Sequence, residues 1–280
     1  MNVDLRPSPI AGLWYEGNAK SLAHNIDQYM ENAELPKLDG DVIAVIAPHA
    51  GHRYSGPVAG YSFSALRGRD PELVAVLSPY HNYHSASFLT STHSGYATPL
   101  GSVQIDHAAV DALDAELKST LGINLTRIAN DPEHSLEIEL PFLQRALKPS
   151  WKLLPIMSRA HNPQLARGLG LALAKILKDK NAILVASTDL SHYYDQKTAN
   201  FFDGNMLAEI ESFVPENVLQ AEATGKGFAC GLGALTSVMW AAREFGADKV
   251  QILHHATSGD VTGDYSEVVG YGAAAILKTK

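Results

Sequence analysis

Three short runs, Asp41–Ala47 (DVIAVIA), Leu73–Ser78 (LVAVLS) and Ala182–Ser187 (AILVAS), constrain this chain more than any other feature. Each is apolar, rich in β-branched residues, and shorter than an ordinary helix, so each reads as a strand buried on both faces. Segments of helical spacing separate and follow them: Asn18–Asn32, Pro57–Leu66, Ala108–Leu117, Ser135–Leu147 (bent at Pro141), Pro163–Leu177, Thr198–Ser212, Pro215–Ala223 and Leu232–Phe245. Further strands are expected at Ser87–Thr90, Ser102–Ile105, Lys152–Met157, Val250–His255 and Ser266–Leu277, with an irregular arm at Arg6–Gly17. Buried strands alternating with helices predict an α/β fold with a largely parallel or mixed central sheet and helices on both faces. No linker, repeat or low-complexity tract interrupts the pattern, so a single domain over residues 1–280 is expected.

Charge and cysteine usage narrow the setting. The formal net charge is -8 and no Lys/Arg cluster offsets it, which argues against nucleic acid as a partner. No apolar stretch approaches the roughly 18 residues of a membrane span, and the opening MNVDLRPSPIAGLWYEG does not read as a signal peptide. The single cysteine, Cys230, excludes an internal disulfide and a Cys-rich structural zinc site, and a reducing cytoplasm is the expected location.

In a parallel α/β sheet, ligands bind beyond the carboxyl ends of the strands. The first run leads into Pro48-His49-Ala50-Gly51-His52, the second into Pro79-Tyr80-His81, the third into Thr188-Asp189-Leu190-Ser191-His192. Three strand ends therefore each deliver an imidazole, the side chain that serves both as transition-metal ligand and as general base near neutral pH. A lone strand-end histidine is more often a hydrogen-bonding residue, and it is the shared location that favours a site. Cys230 precedes the expected helix at Leu232, where the helix dipole favours thiolate, yet a buried free cysteine is equally a small apolar filler. Asp189 is placed to orient an imidazole, or alternatively to cap a turn. His134 and Glu137 open a helical segment and reach either the crevice or only ordinary helix-start chemistry. No G-x-S-x-G, Walker A, G-x-G-x-x-G or H-E-x-x-H pattern is present, which disfavours the enzyme classes built on those motifs.

The segment Pro48-His49-Ala50-Gly51-His52-Arg53-Tyr54-Ser55-Gly56 resembles the PHAG-x-x-YSG signature of the Memo family, whose bacterial and archaeal members are called AmmeMemoRadiSam system protein B. Ser78-Pro79-Tyr80-His81, Glu133-His134-Ser135-Leu136-Glu137, Leu140-Pro141-Phe142, Ser187-Thr188-Asp189-Leu190-Ser191-His192 and Cys230-Gly231 match in the same order along the whole chain. The resemblance implies a fold like that of the class III extradiol dioxygenases, and a metal held by His49, His81 and Cys230. It also implies Asp189 and His192 in the same pocket, His192 at the position of the acid/base histidine. His134, Glu137, Tyr54 and His52 are further candidates, read from the residues themselves, for the pocket wall.

Fe(II) is the leading metal expectation, with copper or zinc as alternatives. A thiolate in place of the dioxygenase carboxylate moves the site toward soft-ligand chemistry, so ring cleavage is not implied. The expected function is a metal-binding oxidoreductase. The alternatives are a non-catalytic metal-binding or chaperone protein, or an adaptor using the same crevice for a small-molecule or peptide ligand. The family name further implies radical-SAM and AMMECR1-like proteins as functional neighbours.

Overall fold

In a computed structural model that describes residues 4–160 and 162–279, the three buried runs lie side by side in the middle of a nine-stranded sheet. The strands are β1 (Leu5–Arg6), β2 (Asp41–Ala47), β3 (Leu73–Pro79), β4 (Phe88–Ser91), β5 (Gly95–Thr98), β6 (Gly101–Gln104), β7 (Leu125–Ile128), β8 (Lys152–Ser158), β9 (Ala182–Ser187), β10 (His192–Tyr194), β11 (Lys249–Thr257) and β12 (Val268–Lys278). The large sheet runs β10-β12-β2-β9-β3-β8-β4-β7, with β11 also paired to β12. Its centre, β2-β9-β3-β8, is parallel, while β12 joins β2 and β4 joins β8 antiparallel, so the sheet is mixed. Every residue of β3 is buried, as expected of a strand covered on both sides.

The helices are α1 (Ala19–Glu31), α2 (His52–Ser64), α3 (His107–Leu121), α4 (Leu140–Ala146), α5 (Pro163–Leu177), α6 (Gln196–Glu211), α7 (Pro215–Ala223), α8 (Leu232–Glu244) and α9 (Gly259–Thr262). Local chemistry sets several ends. The side chains of Asn18, Asp106 and Asp195 accept backbone N–H groups in the first turns of α1, α3 and α6, and Gly122 closes α3 in the left-handed conformation. Helices flank the sheet: α2, with α1 behind it, packs on β2, β11 and β12, whereas α8, with α5 behind it, packs on β2, β3, β8 and β9. Apolar side chains from these layers, among them Phe63, Leu77, Ile183, Leu235 and Ile276, join one continuous core. Among the described residues no helix is long and apolar enough to cross a membrane.

Three local expectations differ from the structure. The helix expected at Pro57 begins at His52, because Gly51 caps it and Pro57 forfeits only one backbone hydrogen bond inside it. The connection from β2 is thereby cut to residues 48–51, and His52 becomes a buried first-turn residue. Ser135–Leu147 is not one helix bent at Pro141. A single 3-10 turn, Glu137–Glu139, leads into α4, and Pro141 sits in the first turn of α4, where its missing N–H costs nothing. Finally, the arm is not wholly irregular. Leu5–Arg6 pairs with β5, and the strand expected at Ser102–Ile105 is β6 of this separate three-stranded sheet.

Candidate metal centre

Because β2, β9 and β3 are parallel neighbours, the loops that leave their carboxyl ends are neighbours too. His49 follows β2 and is buried. Its backbone N–H donates to Asp189 Oδ1 at 2.7 Å, and its Nδ1 lies 2.9 Å from Ser187 Oγ at the end of β9. His81 follows β3 and is held by Glu133, which accepts its backbone N–H at 2.6 Å and its Nδ1–H at 2.9 Å. Glu133 also accepts the N–H groups of His134 and Ser135, each at 3.0 Å. His134 is thereby drawn in: its ring stacks on His81 with centroids 4.8 Å apart, and meets His49 edge-on at 5.6 Å. Ligand nitrogens of His49, His81 and His134 all lie within 4.8 Å of one another. Cys230 Sγ sits 3.1 Å from His49 Nε2 and accepts the Asp189 N–H at 3.2 Å.

Two donors on one ion, each about 2.0–2.3 Å from it, stand roughly 3–4 Å apart. Three imidazoles in this proximity therefore fit a borderline transition metal, and nitrogen donors, with the Cys230 sulfur beside His49 alone, suit iron, copper or zinc better than magnesium or calcium. The imidazole carrying Nδ1–H toward Glu133 presents the Nε2 lone pair of His81 outward, the usual arrangement of a metal ligand backed by a carboxylate.

Electrostatics keep most of the cluster uncharged. Burial, then the neighbouring His134 and His81, hold His49 well below the usual imidazole range. Burial takes His134 down to about 4 against the pull of Glu133. For His81 burial acts in the same direction, but the hydrogen bond to Glu133 outweighs it and the pKa rises. Burial also opposes ionisation of Glu133, yet the His81 hydrogen bond and the backbone donors hold that carboxyl well below its ordinary value. Asp189 is pushed up to about 7 by burial, despite the N–H groups of His49 and Ala50. The expectation of a dipole-stabilised thiolate at Cys230 is not met in the metal-free site. Burial, with Asp189 adding to it, pushes the thiol strongly up, and a metal ion bound at Sγ would displace its proton.

His192 lies near enough to His49 and His81 for their charges to interact, and burial lowers its pKa. Its Nδ1 bonds the Leu190 carbonyl at 2.9 Å, so the carbonyl orients the ring and not, as expected, Asp189, which instead ties the β2 and β9 loops together. Tyr193, next to it, holds φ 63°, a left-handed conformation rare for a bulky residue.

The remaining residues separate. Glu137 faces away from the cluster, bound to Arg6, Ser8 and Tyr15. His52 is buried between Tyr15 and Phe142 with Nε2 on the Ile138 carbonyl. Tyr54 lines an open cleft of about 680 Å³ together with Trp14, Arg53, Tyr193 and Tyr271. None of His49, His81, His134 or Cys230 lines that cleft; a smaller cavity of about 310 Å³ reaches His81 and Cys230, with Tyr80, Arg159 and the first turn of α8 as walls. The sequence named Glu133 and Ser187 only within longer segments, with no role at the site, and gave no sign of Glu139 or of Trp14, whose ring lies 4.1 Å from that of His134. The only local signal was the Glu-His dipeptide after Pro132.

Gly231 permits the approach of α8 to the site. A Cβ there would lie 2.4 Å from the Ser187 carbonyl and 2.8 Å from Thr188 Cβ. Gly231→Ala is expected to cost about 1–3 kcal/mol by forcing these segments apart. A denaturation midpoint equal to that of the parent protein would show that the contact is soft.

A family model described as Memo-like protein matches residues 6–275. The chain is 35% identical over 277 residues to a MEMO1 family protein of Nitrosopumilus maritimus, covering 98% of this chain and 100% of that one. It is 34% identical to MEMO1 family proteins of Methanopyrus kandleri (96% of this chain, 97% of the relative) and Methanococcoides burtonii (98% and 100%).

Proposed function

We propose that this chain, which belongs to the Memo-like protein family, holds one iron or copper ion at its strand-end histidines and uses it in oxidoreductase chemistry on a small molecule. The observation that carries the reading is the convergence of His49, His81 and His134 nitrogens within 4.8 Å, with Cys230 Sγ against His49. His49 and His81 are common to every plausible ligand set. The third position falls to Cys230, as the resemblance implies, or to His134, whose nitrogen completes the imidazole trio. The bound ion supplies one-electron or O2 chemistry. His192, neutral and with its Nε2 free of the Leu190 contact, is the group available to move a proton. The cavity reaching half-exposed His81 favours turnover over sealed storage, since substrate has a path to the ligands.

Metal analysis after native expression tests this. One iron or copper ion per chain is expected, lost in His49→Ala and His81→Ala, and comparison of Cys230→Ser with His134→Ala identifies the third ligand. Stoichiometric zinc would redirect the reading to hydrolysis, and an empty site unaffected by any of the four changes would end it. Glu133→Gln is expected to weaken metal binding about 10- to 100-fold, because it removes the carboxylate that fixes the His81 ring. Titration of the metal-free protein gives the ratio, and an unchanged affinity would mean that Glu133 serves only the fold.

A further inference from the structure

Behind His49, the hydroxyl of Ser187 has three partners at hydrogen-bonding distance. They are the Ser135 carbonyl at 2.7 Å, Glu139 Oε1 at 2.7 Å and His49 Nδ1 at 2.9 Å. A serine hydroxyl carries one hydrogen and accepts through two lone pairs. The Ser135 carbonyl brings no hydrogen, so a contact of 2.7 Å there uses the hydroxyl hydrogen. The other two contacts must then be supplied from the far side, by a hydrogen on Glu139 and one on His49 Nδ1.

We infer that Glu139 is a neutral carboxylic acid that, with Ser187, locks His49 in the Nδ1–H form and turns its Nε2 lone pair toward the metal position. Glu139 is thus a positioning residue, acting on the site through another side chain. The inference rests on the metal-site reading only for its last clause.

Independent features agree. Glu139 is 1% exposed, and its second oxygen has no partner among the described residues. An ionised carboxylate in that setting is heavily penalised, and burial indeed pushes Glu139 far above the carboxylate range, with Asp189 adding to it. On the other side of the ring, Cys230 Sγ already accepts the Asp189 N–H and stands 3.1 Å from Nε2, where its own S–H meets a bare nitrogen. The donors therefore run from the Asp189 N–H to Cys230 Sγ, from its S–H to His49 Nε2, from His49 Nδ1–H to Ser187 and from Ser187 to the Ser135 carbonyl, with Glu139 donating into the same hydroxyl. An ionised Glu139 two contacts away would instead favour a protonated ring, which cannot bind metal.

Infrared difference spectra of the metal-free protein, parent minus Glu139→Gln at pH 7, are expected to show loss of a protonated carboxylic acid carbonyl band. Change confined to carboxylate bands would overturn the inference. Nitrogen NMR of the His49 ring in the same metal-free protein is expected to show protonated Nδ1 and bare Nε2. Glu139→Gln, which keeps a neutral donor on Ser187, preserves this signature, whereas Ser187→Ala mixes the tautomers. An unmixed signature in Ser187→Ala also overturns it. Added Fe(II) or Cu(II) should bind Ser187→Ala about 10- to 100-fold more weakly. If the parent protein binds neither ion, the proposed function fails while the infrared and NMR outcomes still decide the protonation of Glu139 and His49.

Discussion

Arg6→Ala is expected to destabilise the protein by about 3–5 kcal/mol, the range for removing one member of a buried ion network. The guanidinium is 1% exposed and bonds both carboxylate oxygens of Asp131 at 2.9 Å, the carbonyls of Asp131 and Glu133 at 3.0 and 2.6 Å, and Glu137. It also lies over the Tyr96 ring, 4.9 Å from the centroid. Truncation leaves two carboxylates, 5% and 0% exposed, without their cation. Arg6→Met, which keeps the stem but not the charge, should lose nearly as much, because the cost lies in the stranded carboxylates. Urea unfolding measures both, and a loss under about 1 kcal/mol would show that Asp131 and Glu137 relax or take up protons cheaply. The same substitution releases the segment that carries Glu133 and His134, so weaker metal binding should accompany it.

Acidification supplies the second large effect. Burial lowers the pKa of His52 to about 4, with the Ile138 carbonyl giving partial relief. In the unfolded chain the same ring titrates near 6.5, so between these values the unfolded state binds the extra proton. Its contribution is therefore complete above about pH 6.5 and is lost as pH falls toward 4, by up to about 3 kcal/mol at 1.36 kcal/mol per unit. His134 acts in the same sense, whereas Asp189, with its raised pKa, acts in the opposite one over the same interval. The clean measurement is thus the difference between the parent protein and His52→Gln, in metal-free form, at pH 7 and pH 4.5. The stability gap between the two pH values should shrink in the variant. Parallel pH profiles would mean that the His52 pocket admits water and leaves the ring near its ordinary value.

What the sequence revealed, and what it hid, follows from the range of the interactions. β2, β3 and β9 were legible because burial on both faces leaves a continuous apolar run, and their parallel adjacency placed His49, His81 and the Asp189–His192 loop together. β1, β5 and β7 were obscure because two to four residues carry too little period, and their partners are distant: Leu5 pairs with Gly95, and Leu125 with Phe88. Glu133 and Glu137 share a segment and a residue type but opposite uses. One gathers His81 and His134, the other answers Arg6 across 131 positions of chain. No local pattern distinguishes them, since the difference lies in which remote group each meets. Ser187 was read as the end of a strand, and its role appears only once the His49 ring stands beside it.

The nitrogens that converge here come from positions 49, 81 and 134, and the His49–Cys230 contact beside them closes 181 residues of chain. An unfolded chain brings such donors together only at a large loop-closure cost, so an ion that binds here recognises the native state almost exclusively. Occupancy would then be a thermodynamic brace across the carboxyl ends of β2 and β3 and the segment that carries His134. At an ion concentration about 100 times the dissociation constant, it adds roughly 2.7 kcal/mol to the stability of the whole fold.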